Sequence, residues 1–171
     1  MSLSSVKQFF AEAAPDITVI ELGTSTATVA LAADALGVTR GQIAKTLSMR
    51  LPNEIVLLVT RGDARLDNRK YKEHFGTKAR MLESAAVEAQ TGHPIGGVCP
   101  FGLLQPLRVF CDVSLRAFEE VLPAAGTPNS ALRIAPERMA QLTGAQWIDV
   151  TANDASLDAD SSVNPGTSLV L

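Results

Sequence analysis

The sequence predicts a single α/β domain whose mixed β-sheet curls toward a barrel, with helices around it. Three observations lead there. Segments of strand-like and helix-like periodicity alternate along the chain. The most apolar run, Glu54 to Arg61, follows a tight Pro52-Asn53 turn, so the strand before it must run antiparallel and the sheet cannot be purely parallel. With 171 residues, the chain fits one domain. A chain of that size buries roughly two thirds of its unfolded surface.

The elements follow in order. Ser4 or Ser5 is expected to cap a first helix with Val6, Phe9 and Phe10 on one face, ending near Ala14 before Pro15. Ile17 to Leu22 alternates as a strand. Ser25 or Thr26 opens a second helix through Val29, Ala32, Ala33 and Leu36, closed by Gly37. Thr39 caps a brief helical turn over Gly41 to Lys45, which feeds a strand from Thr46 to Leu51. Glu54 to Arg61 is then a central strand, buried on both faces. Asp67 caps a basic helix to Phe75, ended by Gly76, and Ser84 caps another to Gln90, ended by Gly92. Leu107 to Val113 reads as a strand. Ser114 is expected to cap a helix with Leu115, Phe118, Val121 and Leu122 inward. Ala124 to Ser130 is a small-residue loop. A strand at Ala131 to Ile134, a helix started by Pro136 and running to Leu142, and a strand at Gln146 to Val150 complete residues 1–150. From Thr151 to Leu171 the composition becomes acidic and low in complexity, as expected of a flexible tail.

Composition is that of an ordinary globular protein, 46% hydrophobic and 19% charged. There is no apolar run of spanning length, and Met1 to Ala14 holds no signal-peptide core, so a cytoplasmic protein without membrane contact is expected. Cys99 and Cys111 are then expected to stay reduced. The net charge of −3 is unevenly spread: between Arg40 and Arg80 ten Lys or Arg stand against four acids, a local +6 that leaves −9 elsewhere. Such a segment suits a phosphate-bearing partner docking on one face, and equally a solvated surface.

Thr91 to Gly102 holds four glycines and two prolines in twelve residues, which neither a helix nor a central strand tolerates. It reads as a rigid loop with available amides, suited to an anionic oxygen or polarised carbonyl, with a plain structural turn as the alternative. Lys45, at the end of a helical turn and flanked by Ala44, Thr46 and Leu47, is a candidate to hold a phosphate or ribose oxygen, or else a snorkelling side chain. His93 and Cys99 share the glycine-rich loop. His74, His93, Cys99 and Cys111 form no metal-ligand spacing, no orienting third group announces a Cys/His nucleophile, and phosphate-loop, dinucleotide and Gly-x-Ser-x-Gly motifs are absent. On the residues alone His93 braces the loop and Cys99 is a packed thiol.

The order Leu36-Gly37-Val38, then Gly41-Gln42-Ile43-Ala44-Lys45-Thr46-Leu47, then Thr91-Gly92-His93-Pro94-Ile95-Gly96-Gly97-Val98-Cys99-Pro100-Phe101-Gly102 resembles the YbaK/prolyl-tRNA-synthetase-associated editing domain family, from the second helix to Val150. The resemblance implies a compact α/β fold around a barrel-like sheet and hydrolysis of mischarged aminoacyl-tRNA in trans. It implies that Lys45 binds the terminal adenosine, and that the amides around Gly96, Gly97 and Val98 hold the ester carbonyl. Thr46, His93, Cys99 and Pro100, with Asn129 and Ser130 of the second loop, would surround the substrate. Neither cofactor nor metal is expected. The partner would be the acceptor end of an aminoacyl-tRNA, tRNA-Pro or a related one, with prolyl-tRNA synthetase as a further candidate. Cysteinyl-specific members are expected to carry a serine, two glycines and basic residues near Ala124 to Leu132, and this chain has Ala-Ala-Gly-Thr-Pro-Asn-Ser-Ala-Leu there. Cysteine specificity therefore does not carry over, and alanine, serine, threonine or another small residue stay open as substrates. Two rival readings are a non-catalytic module that binds aminoacyl-tRNA or a synthetase, and a reactive thiol at Cys99.

Overall fold

Two apolar faces on one sheet set the architecture. The computed structural model describes residues 2–153, so the expected tail lies outside the described residues from 154 on. The strands are β1 Ile20–Glu21, β2 Ile43–Arg50, β3 Ile55–Arg61, β4 Arg108–Asp112, β5 Leu122–Pro123, β6 Ser130–Ala131 and β7 Gln146–Ile148. The main sheet has the order β5-β2-β3-β4-β7, with β2 and β3 antiparallel across Pro52-Asn53 and the other pairs parallel. β1 and β6 pair separately, and bridges from Ala124 to Ala131 and from Val121 to Ile134 carry the sheet on from β5 to them. That continuation is the curl the sequence predicts.

The helices are α1 Ser2–Ala13, α2 Val29–Leu36, α3 Asn68–Phe75, α4 Ser84–Thr91 and α5 Pro136–Thr143. Strand side chains alternate between faces. On one face Ala44, Leu57, Val59, Val109 and Cys111 pack with Val6 and Phe10 of α1, Val87 of α4 and Met139 of α5. On the other, Leu47, Met49, Val56, Leu58 and Phe110 pack with Tyr71 of α3, while Ile43 packs with Val29, Ala32 and Ala33 of α2. β3, central and buried along almost its whole length, contributes to both faces as its composition predicts.

Local signals hold where their chemistry is unambiguous. Asp67 accepts from the Lys70 amide to cap α3, and Gly37, Gly76, Gly92 and Gly144 end their helices in the left-handed conformation. Pro136 starts α5. Elsewhere the elements shift. α2 is capped by Thr28, whose hydroxyl accepts from the Leu31 amide, and not by Ser25 or Thr26. The helical turn expected over Gly41 to Lys45 is a 3-10 turn over Arg40–Gln42, so Lys45 lies within β2. Ser84 is the first helical residue rather than the cap. The helix expected after Ser114 shrinks to a 3-10 turn, Val113–Ala117, capped by Asp112. Leu122 joins β5 and Val121 bridges to Ile134, because pairing there satisfies backbone groups that a helix would have left facing β2.

Asp112 closes the fold at its end. Its buried carboxylate accepts from the Val150 amide (2.8 Å), the Ser114 amide (2.9 Å) and the Thr151 hydroxyl (2.8 Å), and Thr151 also bridges to Leu66. Asp112→Ala would leave these donors without partners. A loss of about 2–4 kcal/mol is expected in chemical denaturation, larger than for any exposed ion pair such as Lys7–Glu21.

Candidate active site

The glycine-rich loop and the second small-residue loop meet backbone to backbone. The Gly126 amide donates to the Gly97 carbonyl at 3.0 Å. A Cβ on Gly97 would stand 2.5 Å from the Thr127 nitrogen and 2.6 Å from the Gly126 carbonyl carbon, so only glycine allows this approach. Gly96 has φ +93°, and a Cβ there would press on Ala27 (3.1 Å) and Pro128 (3.4 Å). The tip of the loop thus reaches the lead-in to α2, while Val98, Cys99 and Phe101 at its base belong to the core on the opposite face.

The loop's amides are not equivalent. Gly97 already donates its N–H to the Pro94 carbonyl (2.9 Å), so the expectation that this amide holds the substrate is corrected: Gly97 serves by close packing. Gly96 and Val98 are buried, and no acceptor for either amide is found among the described residues. Two neighbouring buried donors of this kind suit a developing oxyanion.

His93 is fully buried and fixed at every polar atom. Its amide donates to Thr91 Oγ1. Nε2 faces the Phe101 carbonyl at 2.7 Å and must carry the hydrogen, which leaves Nδ1 to accept from the Ser2 hydroxyl. Burial holds its pKa below the ordinary histidine value, so the neutral ring is favoured. Cys99 contacts His93 Nε2 and the Phe101 carbonyl, both at 3.6 Å, and burial pushes its thiol up to about 12. A thiolate nucleophile is therefore not available at neutral pH. His93 and Cys99 brace the loop, and Pro100 is buried beside them.

In the second loop, Asn129 donates to the Leu22 carbonyl and accepts from the Thr127 hydroxyl, and Ser130 Oγ accepts from the Thr127 amide and exchanges a hydrogen bond with its hydroxyl. Both side chains shape the loop and tie it to the strand before it.

Lys45 is 3% exposed and lies on the α2/α3 face of β2, between Ile43 of one apolar cluster and Leu47 of the next. Its Nζ donates to the Ala64 carbonyl at 2.6 Å. Burial lowers its pKa to about 8, and Asp63 acts in the opposite sense. Thr46, one residue on, points to the other face, and its buried hydroxyl has no partner among the described residues. The structure therefore brings the two loops together, but it does not join Lys45 to them by a hydrogen bond. The link runs through the start of α2: Ala27 lies against Gly96, and Val29 lies where a Cβ on Gly62, two residues before Ala64, would meet it at 2.8 Å.

Sequence reasoning missed Thr26. Its amide donates to the Pro128 carbonyl and its buried hydroxyl lacks a partner among the described residues, next to the Gly96 contact. A threonine ahead of a helix reads as a cap, so nothing in the sequence marked it. The basic segment also resolves into distinct parts. Arg61 pairs with Asp63, Lys70 with Asp149, and Arg50 and Arg80 both with Glu83; Arg50, Lys78 and Arg80 also line a cavity of about 350 Å³ with Leu51, Pro52, Thr77 and Ala79. Arg50 Nε is buried there without a partner among the described residues.

Comparison with known proteins fits this geometry. The sequence model of the aminoacyl-tRNA editing domain matches residues 24–142. An uncharacterised protein of Bacillus subtilis (strain 168), YwhH, is 46% identical over 152 residues, 88% of this chain and 97% of that protein. EbsC of Enterococcus faecalis (strain ATCC 700802 / V583), named for a proposed Cys-tRNA(Pro)/Cys-tRNA(Cys) deacylase activity, is 29% identical over 125 residues, 71% of this chain and 76% of that protein. A crystal structure described as a proposed trans-editing enzyme for prolyl-tRNA synthetase superposes with a TM-score of 0.81 at 34% identity, covering 89% of this chain and 98% of that one.

Two outcomes follow from the geometry. Gly97→Ala should cost about 1–3 kcal/mol in thermal or chemical denaturation, because the two loop backbones must separate. Lys45→Met should stabilise the fold. The lysine's pKa is about 8 in the folded chain against an ordinary 10.5, so below pH 8 folding carries the full cost of burying the charge. The gain is up to about 3 kcal/mol at pH 7, and it fades between pH 8 and 10.5 as the wild type sheds the proton in both states. Denaturant melts of both proteins across that range measure it.

Proposed function

The chain belongs to the aminoacyl-tRNA editing domain family, and on that premise we propose that it is a trans-editing hydrolase that deacylates tRNA mischarged with a small amino acid, on tRNA-Pro or a related tRNA. The observation that carries this reading is the pair of buried, unpartnered amides at Gly96 and Val98, in a loop held rigid by its contact with Gly126.

An aminoacyl ester is already activated, so the reaction needs a positioned water and a stabilised oxyanion more than a protein nucleophile. Water adds to the ester carbonyl carbon, and the carbonyl oxygen takes up negative charge between the Gly96 and Val98 amides. The bond to the ribose oxygen then breaks. One water proton ends on that ribose hydroxyl, and the free amino acid leaves. Lys45 contributes an ammonium for a phosphate or ribose oxygen of the terminal adenosine. Ala27, Pro128 and Thr26 at the loop tip would limit the size of the amino acid, a second sieve for residues that a synthetase cannot separate by binding alone. The cavity lined by Arg50, Lys78 and Arg80 supports contact with the tRNA backbone, and such contact would weaken steeply with salt.

The test is a panel of labelled alanyl-, seryl-, threonyl- and cysteinyl-tRNA-Pro with correctly charged controls. The wild type should release one small amino acid rapidly. Lys45→Ala should lower the rate on the order of 10²-fold with the fold intact. Cys99→Ala should leave it close to wild type, because the thiol is protonated and packed. Binding of tRNA with no release from any member of the panel would turn the assignment to a recognition module of the same fold.

A further inference from the structure

The turn after β3, Arg61-Gly62-Asp63-Ala64, is more tightly built than a connection requires. Arg61 grips Asp63 through two bonds, Nε to Oδ1 at 2.6 Å and a terminal nitrogen to Oδ2 at 3.1 Å, and its guanidinium lies over the Phe118 ring at 4.9 Å. Both side chains of this ion pair are about nine-tenths buried. Backbone approaches that only glycine permits surround it. A Cβ on Gly41 would stand 2.7 Å from the Arg61 guanidinium and 3.0 Å from Asp63 Oδ2, and one on Gly62 would stand 2.2 Å from the Arg40 carbonyl oxygen. The next residue, Ala64, supplies the carbonyl that receives the Lys45 ammonium. A buried ion pair of this kind contributes little net stability over an apolar replacement, so stability alone does not account for it.

We infer that the Arg61–Asp63 pair is the positioning device for Lys45: it fixes the Ala64 carbonyl that aims the ammonium, and it divides the Asp63 charge between Arg61 and Lys45. Arg61 and Lys45 compete for one carboxylate. Asp63 keeps the lysine protonated in a buried place, and Arg61 holds that carboxylate back from pairing with the lysine outright, leaving the ammonium available to a ligand. Asp63 is the charged group that acts on Lys45 among the described residues, and Arg61 is the side chain that grips it. β2 and β3 flank it with Ile43, Leu47 and Thr60, and α2 and α3 bring apolar side chains and Tyr71 to this face. The functional meaning of the device rests on the ligand-holding role of Lys45 proposed above.

The two halves of the pair make opposite predictions, which a merely structural role would not. The titration of Lys45 is followed by NMR of the full chain with labelled lysine, without substrate, for wild type, Asp63→Asn and Arg61→Gln. Asp63→Asn removes the charge that favours the ammonium, so Lys45 should lose its proton at lower pH than wild type. Arg61→Gln frees the carboxylate for Lys45, so the proton should be held to higher pH. A change of about threefold or more in the proton-binding constant is expected in each direction. Uncharged-tRNA binding should weaken in both variants, because the ammonium is less charged in one and drawn to Asp63 in the other. Unchanged titration, or shifts of the same sign, would overturn the inference. Should Asp63→Asn fail to fold in a thermal melt, Arg61→Gln decides alone: an upward move supports the device, and an unchanged or downward one sinks it. Because the titration is read without turnover, opposite shifts together with an unhydrolysed panel would overturn only the deacylase reading. Hydrolysis together with unmoved titration would overturn only this inference.

Discussion

A Cβ at position 97 would run into the backbone of Gly126 and Thr127, so the close meeting of the glycine-rich loop with the second loop depends on its absence. The rest of the site depends on it. The contact fixes the glycine-rich loop against the second loop. The Pro94 carbonyl takes the Gly97 amide, while no acceptor for the Gly96 or Val98 amide is found among the described residues. Beneath the contact, the imidazole of His93 ties the loop to the first residue of α1 and to the Phe101 carbonyl, and Phe101 packs on the Phe9 and Phe10 rings. A rigid donor pair costs little to reorganise when charge develops, which is the condition for electrostatic catalysis without a nucleophile.

The second constraint is a charge where the core would prefer none. Lys45 separates two apolar clusters on one face of the sheet, and a methionine there would join them. The fold gives up that continuity and gives the ammonium the Ala64 carbonyl, with the Asp63 charge favouring the protonated form. Sites that bind or react commonly carry such local instability, and the hydrophobic layers around β3 are extensive enough to absorb it.

Much of this was legible in the sequence wherever a residue's chemistry permits one local outcome. Gly37, Gly76 and Gly92 could end helices in the left-handed conformation, Asp67 could cap, Pro136 could only begin, and Pro52-Asn53 forced the reversal between β2 and β3. Where several hydroxyl residues crowd a helix start, as at Ser25, Thr26 and Thr28, any could cap, and tertiary contact chose: the Thr26 amide was claimed by the Pro128 carbonyl. Leu122 and Val121 matched a helical face but went to strand pairing, because Ile43 and Ile134, 79 and 13 residues away, offered it. At the site, the composition of the glycine-rich loop and the unusual surroundings of Lys45 stood out in one dimension. The direction of the Gly97 amide, the unpartnered Thr26 hydroxyl and the Arg61–Asp63 clasp did not, since each is defined by a neighbour distant in the chain or by a turn whose local sequence looks ordinary.

The alternation of β2 gives the buried ammonium a further role, as a register key. Sliding β2 by one residue against β3 would carry every odd-numbered side chain to the opposite layer. Leu47 and Met49 would leave the α3 layer and the small polar Thr46 and Ser48 would take their places, so apolar contact is lost on that face. Lys45 would add a charge to that loss. It would arrive among Leu57, Val59 and the α1 side chains, where neither the Ala64 carbonyl nor Asp63 could follow it, and an unpaired buried charge costs several kcal/mol. The group that makes the native state less stable than it could be thus makes its nearest misfolded competitor less stable still, and the hairpin has one alignment it can keep.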